Sequence, residues 1–197
     1  MTDIGFLLFA LAVFAAGYTL SALTSLSAKS FLTRIAPLLE SPQIQGLSPA
    51  RIMGKFEGYS LSIEISKQGR NQPLFITVTL FTATPFSMKI SPEGGLQKLG
   101  KDCRLLSEVE IGEPDFDERY LIETAARQKV ANALSPQATR DIVDGLFHVG
   151  YSCIDVHEGA VCLSFDYPDL SAYFNPDSLR IDIKRLISLA EALSQAP

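Results

Sequence analysis

Charge is missing from the start of this chain. Between Ile4 and Ala28 ("IGFLLFALAVFAAGYTLSALTSLSA") there is no Asp, Glu, Lys, Arg or His. Core helices of globular proteins seldom run so far without a charged residue. About twenty apolar positions match the length a helix needs to cross the hydrocarbon of a bilayer. Lysine and arginine are also missing ahead of the run, where only Met1, Thr2 and Asp3 stand. A secretory signal opens on a positive segment, has a shorter apolar core and ends in a small-x-small site, for which Ser25-Leu26-Ser27 is a poor match. Residues 1–28 are therefore read as an uncleaved transmembrane anchor, in contact with lipid through residues 4–28. Lys29 and Arg34 follow the run directly. The positive-inside rule then places the N-terminus outside and the rest of the chain in the cytoplasm, as a single-pass membrane protein. A secreted or periplasmic domain is the alternative.

Cysteine is scarce, with three in 197 residues. An odd, low count excludes a disulfide framework and suits a reducing compartment. A basic excess is missing too. After the anchor there are 17 basic and 21 acidic residues, a net charge of −4. With no basic stripe interleaved with aromatics, nucleic acid is excluded as a partner. The chain has no Gly-rich phosphate loop ending in Lys-Ser/Thr, no G-x-G-x-x-G, no H-E-x-x-H and no G-x-S-x-G. Phosphate cradling, dinucleotide binding, zinc peptidase chemistry and nucleophile-elbow hydrolysis lose their usual warrant, and no cofactor is implied. No repeat of solenoid or propeller period occurs.

The remainder reads as an ordered domain. "KSFLTRIAPLLE" continues as an amphipathic helix along the membrane surface, and "SPQIQGLSPA", with two prolines and a glycine, reads as a linker. Residues 29–50 are thus a juxtamembrane segment and linker, and 51–197 a soluble domain. Alternation places Ile52, Gly54, Phe56 and then Leu61, Ile63, Ile65 on one face of a hairpin turning at Glu57-Gly58. "PLFITVTLF", "FSMKIS" and "RYLIET" are further strands, rich in β-branched and aromatic residues. "ARQKVANAL" and "SPQATRDIVDGLFHV" are helical, the second with Ser135 as N-cap and Pro136 in the first helical position. A second hairpin turns at Glu158-Gly159. The last helix opens at Asn175-Pro176-Asp177 and carries a packing stripe of Leu179, Ile183, Leu186, Ile187, Ala190 and Leu193. Strands clustered ahead of mixed elements predict an α+β fold, a mostly antiparallel sheet packed by helices.

Two places carry residues of chemical interest. The stretch "EVEIGEPDFDERY" holds six carboxylates, Glu108, Glu110, Glu113, Asp115, Asp117 and Glu118. It fails the EF-hand spacing: counted from Asp115 the third ligand is Arg119 and the glycine position is Tyr120, and counted from Glu113 the glycine position is Glu118. The stretch reads instead as an acidic connection in which Phe116 plugs the core while Asp115 and Asp117 stay in water. In the late hairpin, a two-residue turn pairs His157 with Ala160 and Asp155 with Cys162. Ile154, Val156, Val161, Leu163 and Phe165 then face the core, while Tyr151, Cys153, Asp155, His157 and Cys162 share the other face. Cys153, Asp155, His157 and Cys162 are a candidate zinc or thiol set. The two thiols are diagonal neighbours, roughly 7 Å or more apart, which is loose for one metal. His148 falls at the C-terminus of a helix, where a cation is favoured. Ala12, Ala16 and the pair Gly17/Ser21 give the anchor small-xxx-small spacing, which suits self-association or a membrane partner.

The "GKFEGYSLSIEI" hairpin, and "GEPDFDERYLIET" followed by "ALSPQATRDIVDGL", resemble a widespread type of bacterial single-pass membrane-anchored protein whose activity is uncharacterised. The resemblance spans most of residues 51–194. It implies Phe116 and Asp117 as a structural hallmark and brings no catalytic residue with it. The reading that follows is a membrane-tethered, non-catalytic interaction or accessory domain, with a protein partner or a second copy of itself. The alternative is a metal- or thiol-dependent enzyme or metal-binding domain using the Cys153/Asp155/His157/Cys162 face.

Overall fold

The computed structural model of the protein describes residues 28–46, 49–67, 74–93, 108–167 and 175–195. Among these residues eight strands form: β1 (Glu40–Gln45), β2 (Ala50–Phe56), β3 (Tyr59–Lys67), β4 (Leu74–Phe81), β5 (Met88–Pro92), β6 (Tyr120–Thr124), β7 (Cys153–His157) and β8 (Ala160–Tyr167). They build one sheet in the order β1-β2-β3-β4-β8-β7-β5-β6, antiparallel throughout. The helices are α1 (residues 28–35), the single turn α2 (Pro114–Asp117), α3 (Arg127–Leu134), α4 (Gln137–Val149) and α5 (Pro176–Ser194). The α+β class and the antiparallel sheet are those that the order of elements predicts.

Both hairpins fold locally. Glu57 and Gly58 take positive φ values of 49° and 88°, the type I′ geometry whose twist matches the flanking strands. The pairing Phe56↔Tyr59, Gly54↔Leu61, Ile52↔Ile63 follows from that turn. The late hairpin pairs His157↔Ala160 and Asp155↔Cys162, the register its two-residue turn requires. It does not pack at one end of the sheet. It inserts between β4 and β5, with β8 on β4 and β7 on β5. The link from β4 to β5 crosses the hairpin's tip, where the Thr82 amide donates to the Gly159 carbonyl at 3.1 Å and the Thr84 hydroxyl to the His157 carbonyl.

One face of the sheet supplies the core: Ile52, Ile63, Ile76, Val78, Ile90, Ile122, Ile154 and Leu163 are all buried. Against it lies the α5 stripe, with Leu179, Ile183, Leu186, Ile187, Ala190 and Leu193 buried in the same cluster. Asn175 caps this helix, its side-chain oxygen accepting from the Asp177 amide at 3.0 Å.

The segment expected as juxtamembrane helix and linker is part of the domain. Phe31, Leu32 and Ile35 of α1 are at most 1% exposed and join the core cluster, and β1 pairs with β2. Gly54 is what lets the chain after α1 come close. A Cβ there would lie 2.9 Å from the Leu39 Cβ and 3.0 Å from the Glu40 carbonyl oxygen. The apolar stripe of α1 therefore faces the sheet and not a membrane surface, each of its large side chains stabilising the fold by roughly 1.5–3 kcal/mol through burial.

A second expectation is corrected at α4. Pro136, extended at φ −65° and ψ 131°, is the N-cap and Gln137 the first helical residue, while Ser135 ends α3 in helical geometry. The junction is held by Arg140, whose guanidinium reaches back to the carbonyl oxygens of Leu134, at 3.2 Å, and Ser135. A side chain one turn later thus satisfies carbonyls at the end of α3, while α4 opens with the Thr139 and Arg140 amides donating to the Pro136 carbonyl at 3.0 and 3.3 Å. At the other end, Gly150 closes α4 in the left-handed region at φ 112°.

Residues 4–27 of the expected anchor lie outside the described residues, and no helix among the described residues is long and apolar enough to cross a membrane.

Candidate functional site

The sheet's other face carries short polar side chains and charges in rows. Along one row the pairing runs Glu123↔Lys89↔Asp155↔Cys162↔Thr79, and Cys153 pairs with Ser164 on the next. Cys153, Asp155, His157 and Cys162 therefore share this face, the two thiols diagonal to one another. Tyr151 does not join them. It precedes the first residue of β7, is 2% exposed and turns into the core against Phe165, with ring centroids 5.6 Å apart. Asp155 and His157 lie 3.1 Å apart, and the Cys162 thiol is 3.6 Å from the Thr79 hydroxyl. Both cysteines are free. Burial pushes the Cys153 thiol up to about 11, against a smaller opposing pull from Lys89, and burial raises Cys162 as well. Thiols held up in this way stay protonated at neutral pH and are poor nucleophiles. Among the described residues, no group of three or more His, Cys, Asp or Glu is placed to hold a metal ion.

The acidic stretch folds into a turn that closes on itself. Phe116, 2% exposed, sits in the core, and Asp115 is exposed as expected. Asp117 does not simply stand in water. Its carboxylate accepts hydrogen bonds from the amides of Ile111, Gly112 and Glu113, each at 3.0 Å. Sequence spacing alone had no means of finding this, because the three donors are backbone groups gathered by the single-turn helix α2. Glu113 in turn lies 3.2 Å from Arg140, which ties the turn to the α3–α4 junction.

From this turn the chain enters β6 through Arg119 and Tyr120. The Arg119 guanidinium grips the Asp144 carboxylate of α4 through two parallel hydrogen bonds, 2.8 and 3.1 Å long, and its Nε donates to the Asp115 carbonyl at 2.8 Å. The Tyr120 ring lies between Phe116 and Phe147, with centroids at 4.7 and 4.9 Å. Burial, with a hydrogen bond to Asp144, pushes the Tyr120 phenol up to about 12.

Arg119 and Asp144 form one wall of an open cleft of about 600 Å³. Pro92, Tyr120, Phe147 and Val149 supply its apolar lining, and Arg119, Asp144, His148 and Arg185 its charged or titratable rim. Behind the cleft the buried Asp182 carboxylate is held by the buried Tyr151 and the partly exposed Arg185. The Tyr151 hydroxyl donates to Asp182 Oδ2 at 3.2 Å, and Arg185 Nη1 approaches Asp182 Oδ1 at 3.4 Å and the Gly145 carbonyl at 3.5 Å. Asp182 is 4% exposed, and burial raises its carboxyl above the usual range while Tyr151 and Arg185 oppose that shift. The sequence does carry a signal for this group. Asp182 interrupts the apolar stripe between Leu179 and Ile183, and a carboxylate at a packing position needs partners.

No protein-family model matches the chain, and no curated protein sequence does. In fold the chain is similar to the crystal structure of the mycobacterial trehalose monomycolate transport factor A, TtfA. The TM-score is 0.54 and the identity 7%, over 85% of this chain and 97% of that chain. At that identity the likeness is one of fold.

Proposed function

We propose that this protein is a membrane-tethered, non-catalytic accessory domain that works by binding a partner. The observation that carries this reading is the cleft between β5–β6, α4 and α5, which gathers aromatic and arginine side chains, the residues that dominate binding energy at interfaces. Arg119 is paired with Asp144 and Arg185 is backed by Asp182, and the raised thiols lie on the other side of the sheet. The transport factor that shares the fold supports an accessory role in moving or handing on a ligand. Residues 4–28 are proposed as the anchor and the cytoplasm as the site of the domain. The described part of α1, from residue 28, already belongs to the core, so little chain separates the proposed anchor from the folded domain.

Co-purification of the full chain from detergent-solubilised membranes tests the reading. A partner retained in fixed stoichiometry, or a homo-oligomer, is the expected result. Thiol labelling of Cys103 in intact cells, expected to be blocked until the membrane is opened, tests the topology. Metal analysis of the purified chain addresses the alternative on the Cys153/Asp155/His157/Cys162 face: stoichiometric zinc, lost on Cys153→Ser, would replace the present reading.

A further inference from the structure

We infer that the cleft receives a carboxylate carried on an apolar segment of a partner protein, with Arg185 as the group that binds the carboxylate. The inference rests on the binding function proposed above and adds the chemistry of the ligand.

The Arg185 guanidinium is divided between two tasks. Nη1 points inward to Asp182 and to the Gly145 carbonyl, at 3.4 and 3.5 Å. The opposite edge, Nε and Nη2, lies over Gly145, where a Cβ would stand 3.4 Å from Nε and 3.8 Å from Nη2. Among the described residues, neither of these nitrogens donates to another group, and the side chain is 38% exposed along the cleft. An Nε/Nη2 edge is a two-pronged donor matched to a carboxylate. Held from behind by the buried Asp182, it is oriented before any ligand arrives, which lowers the ordering cost of binding.

The surroundings select among anions. Phe147 and Val149, the latter 42% exposed, offer apolar contact beside the guanidinium. Arg119 is taken up by Asp144 and Arg185 is backed by Asp182, so the Nε/Nη2 edge of Arg185 is the donor pair left to a ligand. A two-pronged donor edge beside apolar side chains suits a single local carboxylate on an apolar segment. The cleft is also open to solvent along its length. It cannot enclose an acyl chain, whereas an aliphatic or aromatic residue next to an Asp or Glu needs only partial cover.

The test uses the full chain in detergent micelles. Its probes are synthetic peptides pairing Asp or Glu with Leu, Ile or Phe, their Asn and Gln counterparts, and dihexanoyl phosphatidylglycerol as the lipid arm. Saturable binding of an acidic peptide is expected, weakened about tenfold or more in its neutral counterpart, as loss of a charge-assisted pair entails. Arg185→Gln and Val149→Asp should each cause a loss of similar size, while Lys129→Gln, outside the cleft, should not. Val149→Asp places a carboxylate at an exposed position and leaves the Asp182 group untouched, so it reports on the cleft even if Arg185→Gln weakens the fold. The inference is overturned if acidic and neutral peptides bind alike, if Val149→Asp leaves binding unchanged, or if the lipid binds in a Val149-dependent way and the peptides do not. A partner that co-purifies equally with wild type and Val149→Asp would keep the binding function and sink this inference. Peptide binding as expected, with no partner found in the native membrane, would sustain the cleft's chemistry and overturn the function.

Discussion

Asp117 and Gly112 are joined by a 3.0 Å hydrogen bond from the glycine amide to the carboxylate, one of three that Asp117 accepts from consecutive backbone amides. Among neighbouring acidic side chains of one short stretch, this one has a structural task and Asp115 has none. Replacing Asp117 by Ala should cost about 1–3 kcal/mol, since it strands backbone donors around a part-buried site. Asp115→Asn should stay within about 0.5 kcal/mol, and Phe116→Ala should cost about 3–5 kcal/mol. Urea unfolding of the three variants checks the order.

The packing of α1 predicts that the domain does not begin after residue 50. Phe31→Ala should destabilise the whole sheet by about 3–5 kcal/mol. Gly54→Val, which drives a side chain into Leu39, should do comparable damage without touching α1 itself. Thermal melts followed by circular dichroism decide this, and a chain cut to start at residue 51 should fail to give a cooperative transition.

These two cases mark what was legible in the sequence and what was not. The hairpins at Glu57-Gly58 and Glu158-Gly159 were legible because a two-residue turn sets its own register, and the α5 stripe because its spacing is helical. The insertion of the late hairpin between β4 and β5 was not, because pairing between strands distant in the chain leaves no local pattern. Residues 28–45 misled for a related reason: a stripe such as Phe31, Leu32, Ile35 looks the same whether it faces lipid or a sheet. At the cleft, Arg119, Asp144, Gly145 and Arg185 come from β6's approach, α4 and α5, and only the break in the α5 stripe at Asp182 hinted that charge was buried there.

Cysteine reactivity follows from burial. With Cys153 pushed up to about 11 against an ordinary value of 9, its thiolate at pH 8 should be roughly a hundredfold less abundant than that of an unperturbed cysteine. Iodoacetamide labelling read site by site by mass spectrometry should show Cys153 far slower in the folded chain than in urea. Rapid labelling in the folded state would contradict the burial.

Tyr120 sets an alkaline limit. Its folded value of about 12 lies above the ordinary 10, so the folded state holds the phenolic proton more tightly than the unfolded chain does. The corresponding stability is present below pH 10 and is lost as pH rises through 12. Between those values wild type should lose stability more steeply than Tyr120→Phe, with chemical denaturation at stepped pH as the measurement.

The central claim, a tethered domain that acts by binding through its cleft, is tested most directly by the composition of the particle purified from solubilised membranes. Full chain and Val149→Asp should be compared by multi-angle light scattering and mass spectrometry. The account predicts a second polypeptide, or a second copy, in fixed stoichiometry with the wild type and its loss from the variant. A monomer carrying stoichiometric zinc, the same for both proteins, would contradict it.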